Sequence, residues 1–168
     1  MNELYYGQYL QTELQGGISY AEKVFLKELK SMEDPDDLIQ ELIGRYHHII
    51  LITEVTVRPG DLITSGGNQM FLFSAAIYPA VKNPAENMDT SDRSINVYGS
   101  PQSGFKALGT FARDIINELK NNKMADSSNY LNLSGRITAD SEPPYEIANE
   151  KGLNIVTQRL IHEGKRFE

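Results

Sequence analysis

The side chains that could carry chemistry here are few, and their spacing limits what they could do. Nucleophilic catalysis needs a hydroxyl or thiol within reach of an oriented base. The histidines are His47, His48 and His162, and the sequence holds no cysteine. His47 and His48 are adjacent, and neighbours on a helix point about 100° apart, which suits neither one metal ion nor one substrate. All three read as ordinary surface or edge histidines. Two carboxylate pairs could in principle support hydrolysis: Glu54 with Asp61, flanking the end of a strand, and Asp114 with Glu118, at i and i+4 on a helix. The second pair falls opposite that helix's apolar stripe and reads as a solvated face. The run Asp34-Pro35-Asp36-Asp37 looks like a metal site, yet a helix start explains each residue. Asp34 caps, Pro35 suits the first helical position, and the next two acids meet the positive end of the helix. Gly66-Gly67 lacks the Lys-Ser/Thr of a phosphate-binding loop and does not open onto a helix, so it reads as a hairpin turn. No catalytic residue, cofactor or metal site is therefore expected.

Bulk properties narrow the classes further. The chain has 168 residues, 40% hydrophobic and 23% charged, a size and composition suited to one globular domain. Sixteen Lys and Arg against 23 Asp and Glu give a formal charge of −7. That balance repels phosphate backbones and argues against gripping nucleic acid, though not against standing beside it. No run approaches the roughly twenty apolar residues of a membrane span, and the first residues lack a basic and an apolar region of the secretory kind. The absence of cysteine excludes disulfides and thiolate zinc sites.

The elements that must position these side chains follow from periodicity. Residues 1–17 allow a short helix, or an arm whose Tyr5, Tyr6 and Tyr9 dock on a neighbouring subunit. Residues 18–30 offer a second helix, with Ile18, Ala21, Phe25, Leu26 and Leu29 on one side. A third helix begins at Asp34 and buries Leu38, Ile39, Leu42, Ile43 and Tyr46. Over 49–58 the period becomes two, with Leu51, Thr53, Val55 and Val57 on one face and Ile52, Glu54, Thr56 and Arg58 on the other. Pro59-Gly60-Asp61 should end that strand, and a second strand over 70–78 follows the hairpin turn. Residues 79–93 read as a mobile polar loop and 94–98 as a short strand. A long helix carries Phe105, Leu108, Phe111, Ala112, Ile115, Ile116 and Leu119 as its stripe. Strands over 131–138 and 153–162 and a tail over 164–168 complete a single domain. The expected fold is α+β: a small, mostly antiparallel sheet packed by one long amphipathic helix, with an N-terminal helical addition.

From Ser94 onward the sequence resembles the tail-terminator proteins of tailed bacteriophages. The matching residues are Ile95-Asn96-Val97-Tyr98, the turn Gly99-Ser100-Pro101, the helix from Gly104-Phe105-Lys106-Ala107-Leu108 to Leu119, Pro143-Pro144-Tyr145-Glu146, and Gly152-Leu153-Asn154-Ile155-Val156. The resemblance implies a non-enzymatic virion protein, assembled in the host cytoplasm. It would form a homo-oligomeric ring that caps the tail tube and meets the neck or connector, with DNA passing through and no membrane involved. Interface residues are then expected at Tyr5, Tyr6 and Tyr9, and at Arg58 and Arg136 on the wet faces of strands, facing acidic loops such as 89–92. The competing expectation is a small cytosolic enzyme or ligand-binding module that uses Glu54 and Asp61.

Overall fold

Apolar residues on both faces of two long strands set the centre of the molecule. The computed structural model describes residues 2–82, 106–120, 136–139, 143–147 and 155–167, with the backbone alone for 136–139. The order is α1 (Glu3–Gly17), β1 (Lys23–Leu26), α2 (Pro35–Ile43), β2 (His48–Ile63), β3 (Gln69–Lys82), α3 (Leu108–Leu119), β4 (Arg136–Ala139), β5 (Tyr145–Ile147), β6 (Ile155–Thr157) and β7 (Leu160–Phe167). The described strands form one seven-stranded sheet. Among the described residues only β1 and β2 run parallel, so the mostly antiparallel α+β class stands.

Helices cover both faces, not one. On one side Tyr6, Leu10 and Leu14 of α1 join Phe111 and Ile115 of α3 over Ile50, Ile52, Phe73 and Ile77. On the other, Leu38, Ile39 and Ile43 of α2 cover Ile49, Leu51 and Tyr78. The single long helix of the expectation is α3, at 12 residues, and α1 is longer at 15. The Asp34 cap forms as expected, its carboxylate accepting the Asp36 N–H at 2.9 Å.

Residues 18–30 correct the expected second helix. Val24 joins the α1 side of the core and Phe25 packs on the α2 side, the alternation of a strand. Parallel pairing of Lys23–Leu26 with residues 49–52 holds the segment extended. Strand β2 also departs from its expected faces. Thr53 pairs with Ala76 but Thr56 with Ser74, and Glu54 has φ 52°. This bulge turns Val55 and Val57 to the α1 side, opposite Leu51. Pro59 does not end the strand, which runs on to Ile63.

The hairpin turn after β2 is as expected. Thr64 accepts from the Asn68 N–H through Oγ1 at 3.0 Å, and Gly67 takes φ 84°. Strand β3 continues through Pro79 into what was expected to be loop, and Pro79 leaves its mark on the neighbour. The expected strand over 153–162 appears as β6 and β7 in one antiparallel register along β3, interrupted opposite Tyr78 and Pro79. Proline has no N–H to give to the ladder. The expected tail is strand too, since Gly164 pairs with Phe73 and Phe167 with Met70. The readings for 83–105, which include the short strand 94–98 and Phe105, and for 131–135, 153–154 and 168 lie outside the described residues.

Candidate functional site

Two of the three histidines are in the interior, which corrects their reading as surface groups. His162, on β7, is 4% exposed, and its Nδ1 meets the hydroxyl of Tyr6. Burial lowers its pKa to about 4, so the ring is neutral and the phenol donates to Nδ1. Burial also raises the Tyr6 pKa, with Glu163 and Tyr9 adding to it. His48, 7% exposed, opens β2, and its Nε2 donates to the Lys106 carbonyl at 2.6 Å. Its ring lies against Tyr20 and Phe111. Burial lowers its pKa, with the Lys106 carbonyl and Glu22 opposing. His47 precedes the strand, and the Glu22 carboxylate accepts both its N–H and that of His48, at 2.6 and 3.1 Å. The histidines therefore act as separate packing and hydrogen-bonding groups.

The carboxylate pairs are not brought together as reaction centres. Glu54 sits on the bulge and meets Arg159 at 3.1 Å, and Arg159 also donates to the Tyr78 hydroxyl at 3.1 Å. Asp61 lies seven residues further along β2, roughly 20 Å away at about 3.3 Å per residue, exposed near the hairpin turn. Asp114 and Glu118 are half-buried, which corrects the solvated reading of that face. Asp114 accepts the Tyr20 hydroxyl at 2.6 Å, and the Glu118 carboxylate lies so close to Gly17 that a Cβ there would overlap it. Both tie α3 to the segment around α1. Asp36 likewise accepts the Tyr145 hydroxyl at 2.7 Å and joins α2 to β5. Among the described residues no group of three or more His, Asp or Glu side chains could hold a metal ion.

An open groove of about 850 Å³ lies where β1 ends and β2 continues past it. Leu4, Leu26, Leu29 and Val55 form apolar walls, and Glu3, Glu28 and Glu54 stand beside them together with Lys27. The expected interface residues separate by burial. Tyr6 is fully buried and cannot dock on a neighbour, and Tyr9 packs partly buried against the core. The helical spacing of Tyr6, Tyr9, Leu10 and Leu14 already carried the sign of that burial. Tyr5 is 42% exposed and Arg58 is exposed. The backbone of Arg136 pairs with Glu163.

Sequence reasoning missed Arg159, whose only signal is its place beside Gln158 between two apolar runs. It also missed Leu62 and Ile63, two large apolar residues beside a turn, which are 58% and 65% exposed. Fold and groove together define a two-faced α+β sheet protein with an open surface cleft. No known protein family matches the sequence, and no curated protein matches it either. Among the described residues no helix is long and apolar enough to cross a membrane.

Proposed function

We propose that this chain is a structural protein of a phage-like tail, a subunit of a ring that caps the tail tube and joins it to the neck, acting by shape and contact without turnover. The observation that carries the reading is where the exposed large apolar side chains gather. Leu4 and Tyr5 mark the start of α1, whereas Leu62, Ile63 and Phe167 lie at the far end of the sheet. Two unlike apolar surfaces on one chain are what a head-to-tail contact uses, and such contacts give a ring when the rotation closes. The resemblance of the chain from Ser94 onward to tail-terminator proteins supports a position at the end of a tail tube. A net charge of −7 suits a bore through which DNA slides without adhering. The partners are then further copies of the chain, the tube and the neck, in a virion assembled in the host cytoplasm.

Light scattering over a concentration series at two salt levels, with negative-stain images, tests this reading. Closed rings of one stoichiometry that bind tube or neck proteins are expected. A chain that stays monomeric and has no affinity for either overturns it.

The groove favours a second reading, a ligand-binding module or small enzyme with Glu54 at its wall. A ligand bound only by the native state at a hundred times its Kd raises stability by about 2.7 kcal/mol. A thermal-shift screen in which every hit survives Glu54→Gln with Asp61→Asn would exclude these carboxylates from such a role.

A further inference from the structure

The groove and the far end of the sheet are complementary, and one chain cannot join them. Leu4 at the groove wall is 61% exposed. The chain continues from the lining residues Glu28 and Leu29 into a strongly acidic connection to α2, with Glu28, Glu33, Asp34, Asp36 and Asp37 against Lys30. Met32, fully exposed, lies in that connection. Lys27 lines the groove as well, against Glu3, Glu28 and Glu54, so the groove side offers apolar surface with a net negative charge around it.

The far end offers the converse. Ile63 pairs with Gln69 and Phe167 with Met70, so Leu62, Ile63 and Phe167 crowd the last rows of three adjacent strands. Two rows inward from Phe167, Arg58 and Lys165 flank Leu72 from either side, both exposed. Asp61 is the acid nearest this end of β2, and Glu163 lies further inward on β7.

Reach excludes a contact within one copy. From Val55 at the groove to Ile63 at the hairpin end are eight residues, about 25 Å of strand. The outer edge of β2 is also open over this stretch, since β1 pairs with it only as far as Ile52 among the described strands. Apolar contact then provides the affinity, because exposed ion pairs contribute under about 1 kcal/mol each. The charges set direction, bringing a basic end to an acidic groove and keeping like ends apart.

We infer that the end of the β2–β3 hairpin of one copy seats in the groove beside α1 and β1 of the next copy, as the repeating contact of the ring. The inference rests on the ring reading above and adds the surfaces that make it. The contact is heterologous: Leu62 and Ile63 meet Leu4, Leu26 and Leu29, with Arg58 and Lys165 toward the acidic connection.

The natural absence of cysteine makes the test clean. Leu4→Cys and Ile63→Cys are made singly at exposed positions, and the two proteins are mixed under a mild oxidant. Seating raises the effective concentration of the two thiols, so adduct forms at least about tenfold faster in the mixture than in either protein alone. Leu62→Asp with Ile63→Asp, at exposed sites, keeps the unfolding midpoint and reduces the ring mass to that of the monomer.

Rings that persist in the double variant, with no mixed adduct, overturn this contact and leave the ring reading standing. Adduct formed by Ile63→Cys alone overturns it in favour of an end-to-end contact. A wild-type chain that stays monomeric and gives no adduct overturns both.

Discussion

His162 is 4% exposed beneath α1, and its lowered pKa of about 4 follows from burial alone. The sign of the resulting pH dependence is fixed. The unfolded imidazole takes up its proton near pH 6.5, the folded one only near 4, so the unfolded chain holds more protons in between. The contribution is intact above pH 6.5 and falls as the pH drops toward 4, by about 3 kcal/mol for this one group. His48, also lowered by burial, acts in the same direction. Urea unfolding at pH 7 and pH 4 should show this loss in the wild type and a smaller one in His162→Gln. Equal losses would place the titration elsewhere. The phenol on the other side of the bond makes a second prediction. Tyr6→Phe keeps the ring packed edge-on against Phe73 but leaves Nδ1 unsatisfied, at a cost of about 1–3 kcal/mol. Tyr5→Ser, one residue away and 42% exposed, should change stability by less than about 0.5 kcal/mol. Denaturant midpoints of the two variants separate a core tyrosine from a surface one.

At the scale of elements, the hairpin turn gives the sharpest contrast. Gly67 has φ 84°, whereas a Cβ on Gly66 would meet nothing closer than 3.8 Å. Gly67→Ala should cost roughly 1–2 kcal/mol, since a side chain in left-handed backbone meets the carbonyl that follows it. Gly66→Ala should be near neutral, and thermal melts of the pair check this. Such local features were the legible ones. Asp34, Pro35 and the following acids announced α2 because a cap depends on its immediate neighbours alone, and Thr64 to Asn68 announced the turn for the same reason. Strand β1 was not legible. Ile18, Ala21, Phe25, Leu26 and Leu29 fit a helical stripe, and what overrides it is pairing with residues 49–52, more than twenty positions away. The bulge at Glu54 was hidden as well. One extra residue reverses which side chains share a face, and no residue type there announces it. The groove depends on both errors, since it lies where β1 stops and the bulged β2 goes on. The histidines were misread because their burial comes from α1 and α3 packing over the sheet, which no local pattern near residue 48 or 162 encodes.

For the whole molecule, the question is whether the N-terminal segment is an appendage or part of the body. The sequence allowed an arm, and an arm that docks on a neighbour can be removed without harm to its own domain. The structure puts α1 across the middle of the sheet, where Tyr6, Leu10 and Leu14 are each fully buried and Tyr6 reaches His162 of the C-terminal strand. Burying each such side chain contributes about 1.5–3 kcal/mol, so the three together contribute about 5–9 kcal/mol. A domain's whole stability is about 5–15 kcal/mol, which leaves little once α1 is gone. Its loss would also bare Phe73, Ile77 and Phe111, the apolar surface that α1 and α3 share. Deleting residues 1–17 should therefore abolish cooperative unfolding and expose dye-binding apolar surface, and a synthetic peptide of residues 1–17 added in excess should restore part of the fold. A deletion variant that unfolds cooperatively at the wild-type midpoint and merely fails to assemble would return the segment to the role of an arm. The ring contact would then have to be sought on α1 itself, away from the groove beside it.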